Sequence, residues 1–571
     1  MVAVAEGKDA VSRRGYVSVT VSPGKPLMVH YRVAGAGPAV VLLHDSPRSS
    51  RLHVPLMKML ASRFRVYALD TPGYGNSDPL PVANPTIPNF AEALGATLDA
   101  MGLAQAPIYA THTSAKIALA LAVRGGRMPQ MVLDGLSIPD QLANHAFIAA
   151  YMRPFAPEPT GAWLAAEWSR TRDMLRWFPW FAADGEHRIS MEPPSPEWLE
   201  DYGIDLFSAG PDYASAYTAA MRWSPLEDLL AVQVPTMVGA RSDDVLFPHL
   251  DKVPTERNPA LSVQRLGTDR TAWAQWIAST LDDSAKACRE APGGGTPGSR
   301  GYVDLDHGQL HWTRYPCPAP TEQRTLIILS APTTLEAHDW ARIMAPFRTV
   351  IVPDLPGFGD SDALPDDRTD AGAIGDALAA LIADVAGAAC DVMAIGLASP
   401  IGARLAALRP DLVASLVIWG APELSLTDPA LVPAVRFDAL AGSHLHQFWH
   451  MLRDAAVQWP WHDARSSAAR NGAIPDAEDL HRALTGLLKQ RTDYGQAIAA
   501  ALAANQPGDW QGVKVPVIVA IGDDPAMALS ASLIALLEKA TAFMVPQDPV
   551  QVPEGLNRAL AEAGRHAKVK A

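Results

Sequence analysis

Cysteine is scarce in this chain: only Cys288, Cys317 and Cys390 occur among 571 residues. The odd count, with no two at metal-ligand or redox-motif spacing, excludes a disulfide framework, a zinc ribbon and a Cys-x-x-Cys redox site. Reduced thiols of a cytosolic protein are the expectation. Positive charge is also in deficit, with 47 Lys and Arg against 61 Asp and Glu and a net charge of -14. A phosphate-binding partner needs a basic face, so a nucleic-acid partner is not expected. No stretch approaches the roughly 18 uninterrupted apolar residues of a membrane span. The stretch MVAVAEGKDAVSRRGYVSV has no apolar h-region, so no secretory signal is read there. A cytoplasmic location follows as the expectation, without a membrane partner. No glycine-rich phosphate loop opens a helix after the first strand, so no cofactor is expected. His444, His446 and His450 lie close in sequence, but only His446 and His450 share a helical face and no Glu completes a zinc motif, so no metal is expected.

What is abundant is core material: 48% of residues are hydrophobic and 19% are charged. The length implies at least two domains. A Gly- and Pro-rich stretch, Ala291-Pro292-Gly293-Gly294-Gly295-Thr296-Pro297-Gly298-Ser299-Arg300, reads as a linker over 291–300. The two sides of it repeat. Gly15-Tyr16-Val17 returns as Gly301-Tyr302-Val303. The run from Asp70 to Asp78, DTPGYGNSD, returns from Asp354 to Asp362 as DLPGFGDSD. The stretch from Gly161 to Trp180 returns without a gap from Gly442 to Trp461, carrying Trp168, Arg172, Asp173 and Trp180 onto Trp449, Arg453, Asp454 and Trp461. A period this long means duplicated domains rather than a solenoid. The boundaries read as 1–290 and 301–571.

Within the first half, apolar runs at Pro38–His44, Arg65–Asp70, Pro107–Thr111, Gln130–Asp134 and Thr236–Ala240 alternate with helical patterns at Leu52–Ser62, Asn89–Met101 and Ser114–Val123. That alternation predicts an α/β fold with a mostly parallel sheet covered on both faces. Residues from about 140 to 225 break it. They are rich in Trp, Phe, Met and Pro, and predict a helical cap over one end of the sheet. The matching cap in the second half is placed at about 422–505.

Four motifs, in order, resemble those of the α/β-hydrolase fold superfamily. His44-Asp45-Ser46-Pro47 resembles the oxyanion loop His-Gly-x-Pro. The Asp70–Asp78 run resembles Asp-x-Pro-Gly-x-Gly-x-Ser-Asp. Residues 108–123 resemble the strand, sharp turn and helix of the nucleophile elbow. Val234-Pro235-Thr236-Met237-Val238-Gly239, followed by Asp244, resembles the strand and loop that carry the acid. The resemblance covers nearly the whole chain and implies two tandem α/β-hydrolase-type domains, each a mostly parallel sheet with flanking helices and a helical cap insertion.

The resemblance breaks at the chemistry. The elbow normally reads Gly-x-Ser-x-Gly, and here it is Ala110-Thr111-His112-Thr113-Ser114-Ala115-Lys116-Ile117-Ala118. Aligning Ile117-Ala118 with the family's Ile-Ala places His112 in the nucleophile slot. A second register, Thr111-x-Thr113-x-Ala115, places Thr113 there. The first preserves the helix spacing. The family's catalytic His follows the last strand, and neither Leu266-Gly267-Thr268-Asp269-Arg270 nor Phe543-Met544-Val545-Pro546-Gln547 contains one. A serine mechanism needs that imidazole, so a standard Ser-His-Asp triad is excluded in both halves. In the second half the elbow is Gly396-Leu397-Ala398-Ser399-Pro400, with Ala398 or Pro400 in the slot by two counts and Ser399 beside both. That half reads as catalytically silent.

The resemblance then implies hydrolysis or lysis of a small organic molecule by the first domain. His112 would act as base or nucleophile, kept neutral by the helix N-terminus behind it. Asp244, or its neighbour Asp243, would orient it. Backbone N–H groups at Thr113 and near Asp45 would hold an oxyanion, with His44 and Asp45 lining the pocket. Arg48 and Arg51 read as a solvated helix start, or as an attraction for an anionic substrate. Each repeated Arg-Asp pair reads as a structural brace of its cap. The partners expected are a small-molecule substrate and the other domain of the same chain. The alternative is a non-catalytic pseudo-hydrolase that binds or scaffolds.

Overall fold

A computed structural model describes residues 12–568 apart from 23, 190–191, 193–194, 286–297, 320, 427, 491–492 and 529. Most of the expected linker, 291–297, lies outside the described residues, and Arg300 already opens a strand. The chain divides into two compact units. One comprises Met1–Ala156 and Ala165–Gly298, the other Pro157–Leu164 and Ser299–Ala571.

The first unit is built on eight strands: β1 (Arg13–Val21), β2 (Lys25–Ala34), β3 (Ala39–Leu43), β4 (Arg65–Leu69), β5 (Ile108–Thr111), β6 (Met131–Asp134), β7 (Thr236–Arg241) and β8 (Leu261–Leu266), in the order β1-β2-β4-β3-β5-β6-β7-β8. From β4 onward the pairs are parallel, whereas β1 and β2 form an antiparallel hairpin joined antiparallel to β4. Every residue of β3, Ala-Val-Val-Leu-Leu, is buried, as a strand covered on both faces requires. Val40, Leu42, Val66, Ala68 and Val132 form one core with helix α1 (Val54–Leu60) and the helix Arg270–Ala285. The other face carries α2 (Ile87–Ala100) and α3 (Thr113–Val123). The hairpin of β1 and β2 did not emerge from the sequence, although β1 alternates buried and exposed positions as a half-covered strand should.

The second unit repeats this plan with β9 (Arg300–Leu305), β10 (Gly308–Tyr315), β11 (Leu326–Leu329), β12 (Val350–Pro353), β13 (Cys390–Ile395), β14 (Val413–Trp419), β15 (Val517–Ile521) and β16 (Ala540–Met544). Read from β9, the strand order is the same as in the first unit. Between β6 and β7 the chain forms the cap helices α4 (His145–Tyr151), α5 (Trp163–Asp173), α6 (Pro196–Ala209), α7 (Ser215–Met221) and α8 (Leu226–Ala231). Between β14 and β15 the helices Ser443–Ala455, Ala477–Gln490, Gln496–Ala503 and Pro507–Gln511 take the same place. No helix is long and apolar enough to cross a membrane among the described residues.

The caps are fastened differently from the expectation. Arg48 is neither a solvated residue nor open to an anionic ligand. Its guanidinium is 2% exposed, donates from Nε to Asp205 of α6 (2.7 Å) and stacks on Trp198 at 4.7 Å. Ser49 Oγ donates to the other oxygen of Asp205 (2.6 Å), and Arg51 lies 3.8 Å from the same carboxylate. In the second cap Arg453 bonds its neighbour Asp454 (2.7 Å); in the first the charge of Arg172 acts on Asp173, and the buried pair is Arg170 with Glu167. Lys116, inside α3 and buried, donates to the carbonyls of Ala220 and Trp223 (2.8 Å each), closing the end of α7.

Candidate active site

Strand β5 ends at Thr111, and α3 begins at Thr113. The single residue between them, His112, has φ 45° and ψ −108°. Among the described non-glycine residues only Asn84 and Ser425 share a positive φ. Such a conformation costs about 1–3 kcal/mol. The strain is held because His112 N–H donates to Asp134 O (2.9 Å) and its carbonyl accepts from Ala115 N–H (3.1 Å). The turn therefore places His112 in the slot and Thr113 inside the first helical turn. The N–H groups opening α3 have no intrahelical acceptor and face the same end of the sheet.

The partner of this imidazole comes from far along the chain. Asp244 follows β7 by three residues, and its Oδ1 accepts from Leu246 N–H (2.8 Å), fixing the carboxylate. Its Oδ2 meets His112 Nε2 at 2.8 Å. Asp243 is not this partner, because it pairs with Arg241 (3.1 Å). Gly135, just past β6 with φ 68°, passes directly against the pair. A Cβ there would lie 2.5 Å from the His112 ring and 3.2 Å from Asp244 Oδ2. Only glycine leaves room for the dyad and accepts that backbone conformation. His112 Nδ1 has no partner among the described residues, and the side chain is 35% exposed.

The charge state differs from the expectation of a neutral ring. Burial works against the imidazolium, but the charge and hydrogen bond of Asp244, reinforced by Asp45 and Asp134, outweigh it and raise the His112 pKa to about 9. Burial likewise opposes the Asp244 carboxylate, and the His112 cation with its hydrogen bond overcomes this and lowers it to about 2. The two shifts describe one ion pair.

Because the His112 pKa is raised on folding, its contribution to stability is complete below about 6.5 and is lost as pH rises through 9. Because that of Asp244 is lowered, its contribution is complete above 3.8 and is lost as pH falls through 2. The pair is intact between these limits. An NMR titration of the His112 ring is expected to show a midpoint near 9, and Asp244→Asn should bring it back toward or below the ordinary 6.5. A midpoint unchanged in Asp244→Asn would mean that other groups hold the proton.

His44 is not a pocket group. Its ring is fully buried, Nδ1 donates to Asp45 O (2.7 Å) and Nε2 accepts from Thr71 N–H (2.9 Å), so both nitrogens are consumed in holding the loop. Its carbonyl accepts from Ser114 Oγ, tying the loop to α3. Behind the dyad, Asp134 is buried and takes hydrogen bonds from Tyr109 Oη (2.6 Å) and Trp273 Nε1 (2.7 Å). The small apolar cavity lined by Val29, Leu69, Phe90, Leu94 and Ile117 does not touch His112.

The second unit corrects the count made from its sequence. Leu43 pairs with Ala110 across β3 and β5, and Leu329 pairs with Ala394 across β11 and β13. In this register Gly396, not Ala398 or Pro400, matches His112, and it shares the positive φ at 52°. The slot thus has no side chain. Ser399 is fully buried and donates to Gly420 O (2.6 Å) and Ala394 O (3.2 Å), so its hydroxyl is spent on the backbone. Asp524, three residues past β15, repeats Asp244, and its Oδ1 accepts from Ala526 N–H as Asp244 does from Leu246. Its partner is Arg470 (3.1 Å), which also reaches Glu336 (3.3 Å). The sequence reading missed Asp524 and Gly135, although the Asp at a fixed step past the penultimate strand was a usable signal.

Neither the His446 and His450 pair nor His444 enters a metal-like cluster. Among the described residues one such grouping exists, His311, Asp354 and Asp360. Asp360 is held by Lys489 (2.9 and 3.0 Å), and His311 pairs with Asp354 (2.9 Å) as His30 does with Asp70 (2.7 Å) in the first unit. The repeated pair ties the second strand of the hairpin to the loop after β4 in the first unit and after β12 in the second.

Residues 333–518 match the family described as alpha/beta hydrolase fold. The chain is 33% identical over 128 residues to a pimeloyl-[acyl-carrier protein] methyl ester esterase of Xanthomonas oryzae pv. oryzae, a match covering 21% of this chain and 48%, about half, of that protein's length. It is 27% identical over 238 residues to a putative carbamate hydrolase, RutD, of a Caulobacter species, covering 38% of this chain and 79% of that protein. Among solved structures, an esterase from Thermogutta terrifontis aligns with a TM-score of 0.38 at 20% identity, over 48% of this chain and 99% of that one.

Proposed function

For this chain of the α/β-hydrolase fold superfamily, two tandem domains long, we propose that the first domain is a cofactor-independent hydrolase or lyase of small organic molecules working through a His112–Asp244 dyad. The observation that carries the reading is the 2.8 Å contact between Asp244 and an imidazole held, under strain, at the elbow. Strained backbone that the surroundings enforce is the mark of a site kept for chemistry. The relatives named as esterase and carbamate hydrolase favour a hydrolytic reaction at a carbonyl.

The roles follow from the two nitrogens. Nε2 is bound to Asp244, so Nδ1 faces the substrate and does the chemistry once it has lost its proton. It then takes a proton from water or from an acidic C–H, or attacks a carbonyl directly. The N–H groups of Thr113 and Asp45 are the donors for the oxyanion that results. With a pKa of about 9, roughly one ring in a hundred is deprotonated at pH 7. The expected profile of kcat/KM therefore rises about tenfold per unit through neutral pH and levels near 9. Screening small esters, lactones and compounds with acidic C–H groups against pH tests this. A profile flat from 6 to 9 on a turned-over substrate would remove His112 as the base.

The second domain, in this reading, is catalytically silent: its slot is Gly396 and its acid is bound to Arg470. Ser399→Ala should leave turnover unchanged while lowering thermal stability, because two backbone carbonyls lose their donor. Loss of turnover in that variant, with the fold intact, would move the chemistry to the second domain.

A further inference from the structure

The family's His-Gly-x-Pro loop has become His44-Asp45-Ser46-Pro47 here, and the added carboxylate stands beside the elbow. Strands β3 and β5 are parallel neighbours, paired at Leu43 and Ala110. Two residues beyond each lie Asp45 and His112, side by side at the carboxyl edge of the sheet, where open α/β sheets receive their ligands. The loop has little freedom. Asp45 O accepts both from His44 Nδ1 (2.7 Å) and from Arg48 N–H (3.0 Å), and His44 O accepts from Ser114 Oγ on α3. The backbone of Asp45 is thereby held in place.

One oxygen of that side chain is unused. Asp45 Oδ1 is buried and has no hydrogen-bond partner among the described residues. Buried acceptors are rarely left so, and a lone one asks for a donor that the protein does not supply. Arg48 is three residues on, and its Nη1 is also buried without a partner, yet no hydrogen bond joins the two. The Nε of Arg48 is committed to Asp205. The negative charge of Asp45 acts on His112, on Arg48 and on the phenols of Tyr202 and Tyr217 in the cap, so it lies between the elbow and the cap.

We propose that Asp45 selects the substrate, its Oδ1 accepting a hydrogen bond from a hydroxyl or amino group carried next to the carbonyl on which His112 acts. The preferred class is then an ester or related acyl compound with a neighbouring donor, and a substrate bearing a carboxylate at that position is repelled. This rests on the reading of the first domain as the catalytic one.

The test uses the full chain and a matched pair of probes, ethyl lactate and its O-methyl ether, which differ only in the donor. Binding is measured by ligand-observed NMR in the His112→Ala background, where no turnover is expected, and then again with Asp45→Ala or Asp45→Asn added. A hydrogen bond to a charged acceptor predicts about tenfold tighter binding of the hydroxy ester. The preference should fall to within about twofold in Asp45→Ala and shrink in Asp45→Asn, which can accept but is uncharged. The assignment is overturned if neither ester binds at millimolar concentration, if the two bind equally, or if the preference survives in Asp45→Ala. It is also overturned if the Asp45 variants lose stability with no change in preference, the mark of a water bridging Asp45 and Arg48. Turnover of both esters by the parent chain is followed separately. An Asp45-dependent preference without turnover refutes the catalytic reading and leaves Asp45 as a ligand group. Turnover without a preference does the reverse.

Discussion

His112→Ala is expected to lower kcat/KM by about a thousandfold or more on any substrate the chain turns over, because the variant has no group left to move a proton at the elbow. The fold should survive, since the ring is 35% exposed, although alanine adopts the positive φ less readily than histidine. Asp244→Asn should cost less, because it leaves the imidazole in place and removes only the charge that orients it and holds its proton. The same argument makes His112→Ser informative. A serine at the elbow restores the family's nucleophile, yet the segment after β8, Leu266 to Arg270, has no imidazole to activate it. The serine variant should therefore be as inactive as the alanine one. A serine variant that hydrolyses esters at the parent rate would show that the strained turn and its N–H donors, not the dyad, supply the catalysis.

Removing Asp205 should have the largest effect on stability. Arg48 is 2% exposed and Asp205 equally buried, so Asp205→Ala leaves a guanidinium in the interior with its Nε uncompensated and takes the acceptor from Ser49 as well. Breaking a buried pair from one side costs about 3–5 kcal/mol. Chemical denaturation of the parent and the variant measures this directly. Replacing both partners, Arg48→Met with Asp205→Leu, should recover most of the loss, because the penalty comes from the stranded charge rather than from the missing attraction. If Asp205→Ala were within about 0.5 kcal/mol of the parent, the cap would not be anchored through Arg48. Activity should fall together with stability in this variant, since α6 carries Asp205 and Tyr202 over the site.

Much of the architecture could be read without coordinates. Strand and helix periodicities are local, so β3, β4, β5, β6 and β7 were each located within a residue or two from apolar runs. Duplication is also a property of the linear text, and the DTPGYGNSD and DLPGFGDSD runs exposed it. The absence of a histidine from Leu266–Arg270 and from Phe543–Gln547 is legible in the same way. The slot in the second unit falls at Gly396, and neither the count from the strand, to Ala398, nor the count back from the helix, to Pro400, reaches it. The chain makes its sharp turn one residue after Ile395, and a short 3-10 turn then delays the helix to Ser399, which no periodicity reports.

What the amino-acid order determined alone was the element order and the twofold repeat, because each depends on residues near one another in the chain. The tertiary structure decided which side chains meet. It brought Asp244 to His112 across 132 positions and Asp205 to Arg48 across 157. It also sets the direction of the His112 shift, upward because the neighbouring carboxylates outweigh the burial that opposes the charged ring. Local sequence sets where the backbone can turn; partners and dielectric are set by segments that meet only when the sheet closes.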